Sequence, residues 1–200
     1  MSPHTLTPYP YKMTKWNCLT NQIFANDRYA ISPITPLDIE SIRRWRNAQL
    51  EVLRQKEPIT ESGQISYFNQ HIWPTMPLAE PPNILMGLRR NDRLIGYGGL
   101  VHIAWEHRRA ELSFLLDDRR ASNEAGYTED FLGFLSLIRK LAFDDLKLHR
   151  LFTETYALRT HHITVLESFG LRLEGVMRDH VRIGGDYVHS LIHGMIASNE

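Results

Sequence analysis

Cysteine is almost absent from this chain. Cys18 stands alone, which excludes an internal disulfide framework and suits a reducing compartment. A surplus of one charge is also lacking, because 23 basic and 23 acidic residues cancel. Without such a field, neither nucleic acid nor an anionic membrane surface is expected as a partner. No apolar run reaches the roughly 18 residues of a membrane-crossing helix. The N-terminus lacks a charged region followed by an apolar core, so no secretory signal is read there. A cytoplasmic protein is the expectation. Histidine is plentiful, at ten residues, but it is scattered without the spacing of a metal cage. His161 and His162 are adjacent, which on a helix turns them about 100° apart. No metal is expected, and there is no internal repeat or low-complexity stretch.

What is present is the material of a globular core. The apolar share is 42%, far above that of a disordered chain. Two hundred residues fit one domain, or one domain with an extension. Residues 1–28 differ from the rest, with four threonines, three prolines, three asparagines and a single acid, Asp27. They read as an N-terminal arm, with a short strand at Gln22-Ile23-Phe24 and aromatics (Tyr9, Tyr11, Trp16, Phe24) that pack on the domain or on a partner. Residues 29–200 read as the domain.

Periodicity orders that domain as β-α-α-β-β-β-α-β-α-β-β. Tyr29 to Ile34 is a strand closed by proline. Thr35, Pro36 and Asp38 suit the start of a helix through Ile39, Ile42, Trp45 and Arg46. Thr60 to Phe68 is a second helical stretch. Ile84 to Arg89 and Leu94 to Ile103 are strands joined at Asn91-Asp92, with Gly96, Gly98 and Gly99 permitting close backbone approach or a bulge. Arg150 to Thr155 is a strand, and His161 to Phe169 is a helix stopped by Gly170. Gly175 to Ile183 and Tyr187 to Ile196 form the closing hairpin.

The segment from Glu111 to Leu148 is the most informative. Glu111 to Leu116 reads as a strand, and Asp117 to Ala125 as a polar loop. Gly126-Tyr127-Thr128 opens an amphipathic helix carrying Phe131, Leu135, Ile138 and Leu146. A strand feeding a glycine loop at a helix N-terminus gathers backbone N–H groups, where the helix dipole favours an anion.

Three stretches resemble the GNAT superfamily of acyl-CoA-dependent N-acetyltransferases. They are Leu94 to Gly99, Glu111 to Phe143, and Val165 to Asp179 ending at Gly185-Asp186-Tyr187. The resemblance spans about residues 29–196. It implies an α/β (α+β) fold, with a mixed, mostly antiparallel central sheet flanked by helices and the family's fourth and fifth strands splayed. It also implies acetyl-CoA as cosubstrate. Backbone groups at Leu115, Leu116 and Asp117 would hold the pantetheine arm. Asn123, Glu124, Ala125, Gly126, Tyr127 and Thr128 would form the pyrophosphate loop, with Thr128 able to cap the helix. The loop departs from the family pattern, since Asn123 replaces a glutamine or arginine and Thr128 a small residue. Glu129 and Asp130 would repel phosphate, which Arg119 and Arg120 offset by turning inward. Arg159 stands where the family has an asparagine and can reach phosphate as a fork donor. Leu166 stands where the family often has a tyrosine acid.

Acetyl transfer to an amine requires a proton acceptor, because a lysine-type ammonium has a pKa of about 10.4. The resemblance places substrate near Glu111, making it the candidate base, with an ion pair to Arg108 or Arg109 as its plain alternative. His102, Glu106 and His107 are the next candidates, and His189 is a further titratable group on the last strand. Trp45, Arg46 and Asn47 resemble a substrate-contacting first helix in acetylases of nucleotide-linked amino sugars. That branch and the acetylases of ribosomal-protein N-termini are the nearest. The resemblance therefore implies a small-molecule amine substrate, a nucleotide-linked amino sugar first. A protein N-terminal amine and a catalytically silent GNAT-like binding module remain as alternatives. The last strands and the N-terminal arm each offer a surface for a homodimer.

Overall fold

The computed structural model describes residues 14–53 and 55–197. Tyr9 and Tyr11 of the arm lie outside them. The strands are β1 (Phe24–Ala25), β2 (Ala30–Pro33), β3 (Ile84–Arg90), β4 (Arg93–Ala104), β5 (Arg109–Leu116), β6 (Arg150–Tyr156), β7 (Arg172–Ile183) and β8 (Asp186–Ile196). The helices are α1 (Ile39–Ala48), α2 (Glu61–Tyr67), α3 (Asp118–Ala121), α4 (Glu124–Arg139) and α5 (Thr160–Phe169). All eight strands form one sheet in the order β1-β2-β3-β4-β5-β6-β8-β7. Every pairing is antiparallel except β5 with β6. This is the mixed, mostly antiparallel architecture that the resemblance implies. Among the described residues no helix is long and apolar enough to cross a membrane.

Residues 14–28 are packed against the domain. Trp16 is fully buried in the core and donates its indole N–H to the Leu85 carbonyl. β3 is buried from Ile84 through Leu88, as a central strand covered on both faces must be. Alternation along the strands sorts the helices onto the faces. Phe114 stacks on Phe131 of α4, at 4.5 Å between centroids and 11° between planes. Gly98 faces Phe134 of the same helix. Tyr97, one residue along and hence on the other face, meets Arg46 of α1. Gly98 and Gly99 sit where a Cβ would strike the carbonyls of Ser113 and Ile84. Glycine there lets β4 lie flat between its neighbours.

Two helix starts differ from the sequence reading. α1 begins at Ile39, four residues after Thr35. The Asp38 carboxylate accepts from Thr35 N–H, Thr35 Oγ1 and Arg89, which closes a turn ahead of the helix. α4 begins at Glu124, because Asn123 caps it by accepting from Gly126 N–H at 3.0 Å. The loop read from Asp117 to Ala125 instead contains α3, capped by Asp117.

The feature that positions the site is the β5–β6 pair. These strands are parallel and in register only at Arg109–Arg150, Ala110–Leu151 and Glu111–Phe152. Beyond Glu111 they part. These are the strands that correspond to the family's fourth and fifth, and a wedge opens between them.

Candidate active site

Two chambers lie in and beside this wedge. The first encloses about 190 Å³ and is walled by Glu111 to Phe114 of β5 and Thr153 to Thr155 of β6, with Arg46, His102, Arg159 and His162 among its other walls. The second, about 430 Å³, lies between Gln49, the start of α4 at Glu124 and Tyr127, and the start of α5 at Thr160 and His161. Val52, Arg159 and His162 line both.

The first chamber brings two sequence candidates together. His102 Nδ1 lies 2.8 Å from Glu111 Oε2. Against an ionised carboxylate, which only accepts, a neutral imidazole carries its hydrogen on Nδ1 and keeps Nε2 as an acceptor. The pairing arises from a bulge. The β4–β5 register shifts between Val101 and Ala104, and His102 adopts φ 49°, a left-handed conformation that costs a non-glycine residue roughly 1–2 kcal/mol. Such strain is characteristic of functional positions. Glu111 is nearly buried while His102 reaches solvent, with side-chain exposures of 12% and 68%. Glu106 and His107 point at each other on the hairpin, 3.6 Å apart, and His189 pairs with Asp179. None of these three lines the first chamber.

Of the three residues expected from α1, one reaches the chamber. Trp45 is core, 7% exposed. Asn47 is a latch whose amide exchanges hydrogen bonds with the backbone of Ile59. Arg46 lines the chamber.

The cofactor-side expectations need three corrections. First, Leu115 and Asp117 turn their backbone groups toward β4. Asp117 N–H donates to Ile95 O, and Leu115 O abuts Gly96. By alternation it is Leu112, Phe114 and Leu116 whose backbone groups face the wedge. Leu116 O accepts from Gln49 Nε2 at 2.9 Å, and the N–H groups of Phe114 and Leu116 turn to the same side. Second, Gly126 is one turn inside α4, and its N–H is taken by Asn123. Neither Gly126, Ala125 nor Asn123 lines a chamber, whereas Glu124 and Tyr127 do. Third, Thr128 does not cap the helix. Its hydroxyl donates to Glu124 O and lies 3.0 Å from His161 Nε2.

Asp130 and Glu129, the two acids expected to repel phosphate, are held by arginines. Asp130, 0% exposed, accepts from Arg120 Nε and Nη2 at 2.6 and 2.9 Å and from Tyr29 OH at 2.9 Å. Arg120 therefore turns inward to Asp130. Burial, then the Asp130 hydrogen bond, pushes the Tyr29 phenol up to about 12. Glu129 pairs with Arg28 and Arg90. The second chamber has at its wall the N-terminal ends of two helices, α4 and α5, whose dipoles favour an anion, together with the side chains of Glu51 and Glu124. Arg159 stands between them.

Sequence reasoning missed Gln49, Glu154, Thr155 and His162. His162 is three residues after Arg159, so a helix brings both to one side; that spacing was a legible signal. Tyr127 OH lies 2.5 Å from His162 Nδ1. Burial holds the imidazole well below its ordinary pKa, helped by the Arg159 charge, so it is neutral and accepts from the phenol. Burial also raises the Tyr127 phenol. Leu166 is fully buried and reaches neither chamber.

Comparison with known proteins bears on this geometry. A model of the acetyltransferase (GNAT) domain matches residues 31–192. No curated protein matches the sequence. Among solved structures, spermidine N-acetyltransferase from Vibrio cholerae in complex with CoA and spermine superposes with a TM-score of 0.74 at 16% identity, covering 86% of this chain and 96% of that one. A dodecameric form of spermidine N-acetyltransferase from the same organism gives a TM-score of 0.69 at 17% identity, covering 86% and 95%.

Proposed function

Since the chain belongs to the GNAT acetyltransferase family and uses acetyl-CoA as its cosubstrate, we propose that its first chamber presents the primary amine of a small molecule for acetylation. The observation that carries this reading is the Glu111–His102 pair at 2.8 Å, set where the wedge between β5 and β6 opens. Acetyl-CoA supplies an activated acetyl group. The chain's own residues do the remainder. The pair takes the ammonium proton, directly or through a water. Backbone N–H groups of Phe114 and Leu116 face the wedge and suit both the pantetheine amides and a developing oxyanion. The second chamber, with Arg159 and the two helix ends, suits the pyrophosphate.

A compact amine is favoured over a nucleotide-linked amino sugar. At about 190 Å³ the acceptor chamber falls below the roughly 300–1,000 Å³ that encloses a drug-sized ligand, and a nucleotide sugar is at least that large. The structural neighbours named above act on spermidine, a small amine. A homodimer belongs to the same proposal. β7 is an edge strand with Leu173 and Val176 half exposed and Tyr187 of β8 68% exposed, which suits self-association. The test of function is release of free CoA thiol on mixing the protein with acetyl-CoA and small amines. Turnover with at least one amine, abolished by Glu111→Gln, is expected. Amine-independent thiol release, or none with any amine, refutes the reading.

A further inference from the structure

Several scaffold arginines close on carboxylates: Arg89 on Asp38, Arg120 on Asp130, Arg150 on Glu174. Arg46 does not. Its Nε donates to Gln55 Oε1 at 2.9 Å and its Nη1 to Tyr97 OH at 2.8 Å. Both partners are neutral, and among the described residues Arg46 has no ion pair and its Nη2 no hydrogen bond. The guanidinium is also held in place. Gln55 is itself anchored to Asn47 Oδ1 at 3.1 Å, and Asn47 is latched to Ile59. A half-buried cation whose direct partners are neutral, on the wall of a small chamber that the carboxylates of Glu111 and Glu154 also line, can take an anion as a further partner.

The same chamber carries Glu111 and His102 on another wall. It also carries Thr155, 2% exposed, whose Oγ1 has no hydrogen-bond partner. One wall thus suits an amine and another an acid. We propose that the acceptor is a small zwitterion, a primary amine that also carries an anionic group, and that Arg46 binds that group while the Glu111–His102 pair faces the amine. This rests on the acetyltransferase reading above and adds the substrate class. The reaction balances as before. The amine N–C bond forms and the thioester C–S bond breaks; one ammonium proton passes to the pair, a second follows the sulfur so that CoA leaves as the thiol, and the acid group of the acceptor is unchanged.

The test compares kcat/KM for matched amines with acetyl-CoA in excess. The panel holds amino acids against their C-terminal amides, phosphoethanolamine against ethanolamine, and spermidine, which has no anionic group. The first two pairs distinguish carboxylate from phosphate. The expected result is a preference of roughly 10- to 100-fold for one acid-bearing series over its uncharged partner, the size of a charge-assisted contact. Arg46→Gln should erase that preference through KM for the acid-bearing amine, and Arg46→Lys should restore part of it. Intrinsic amine basicity cancels because wild type and variant meet the same pair. Structural damage would lower both members of a pair alike and leave the preference intact. A preference that survives Arg46→Gln overturns the proposal. So does spermidine or an amide turned over better than every acid-bearing amine, and the wild-type panel decides this even if the variant fails to fold. Failure to bind acetyl-CoA would instead overturn the underlying reading.

Discussion

At the residue scale the proposed mechanism makes Glu111 and His102 one unit, joined by the 2.8 Å contact between carboxylate and imidazole. Removing a general base of this kind typically costs 10²–10⁴-fold in rate. Glu111→Gln should therefore lower kcat by about that range while leaving KM for acetyl-CoA near its wild-type value. His102→Ala should cost less than or as much as Glu111→Gln, and the double variant should be no worse than the more damaging single one, since groups acting together are non-additive. Steady-state kinetics of the three variants checks this, and fully multiplicative losses would show that the two residues act separately.

The start of α4 is where element-scale physics decides between two accounts. If Gly126 were the floor of a phosphate loop, any added side chain would obstruct the ligand. Here a Cβ at Gly126 would meet only Asn123 atoms, at 3.6 Å, an ordinary contact. Gly126→Ala is expected to retain acetyl-CoA binding and to stabilise the helix by up to about 1 kcal/mol. Asn123→Ala removes the cap and should cost about 1 kcal/mol of stability. Calorimetric titration and denaturant melts of both variants test the pair of statements. Lost cofactor affinity in Gly126→Ala would restore the glycine to the binding loop. That Asn123 rather than Thr128 caps α4 was readable in principle, because asparagine ranks above threonine at that position. What concealed it was the family pattern, which drew the helix start to the glycine.

Across the whole molecule, ligand and proton linkage report on the same wedge. Acetyl-CoA at 100 times its dissociation constant adds about 2.7 kcal/mol to the folded state, or several degrees of Tm for a chain of this length. No shift at millimolar acetyl-CoA would argue for a silent binding module. The pH dependence follows from His162. Its folded pKa lies well below the ordinary 6.5, chiefly through burial. Below pH 6.5 the unfolded chain binds a proton there that the folded chain does not. The stability from this group is therefore present above pH 6.5 and is lost as pH falls, by up to about 1.4 kcal/mol per unit. Thermal melts from pH 7.5 to 5 should show this slope, and His162→Asn should flatten it. At the alkaline end, Tyr29, raised to about 12, favours the fold below pH 10, and its contribution is lost between about pH 10 and 12.

The sequence by itself determined the order of the longer strands and of the four longer helices, the α4 stripe of Phe131, Leu135 and Ile138, and the Gly170 stop. All of these are properties of neighbours along the chain, set by residue periodicity and local backbone preference. It named Glu111, His102, Arg46 and Arg159 singly. Only the tertiary structure decided which of them meet. The three-residue limit of β5–β6 pairing opens the wedge, a bulge swings His102 onto Glu111, and Asp130 draws Arg120 away from any phosphate. Trp45 and Asn47 stand beside Arg46 in sequence yet serve the core and a loop, because adjacent helical positions point about 100° apart. Contacts between distant residues depend on strand register and packing, and neither is encoded in any single stretch of chain.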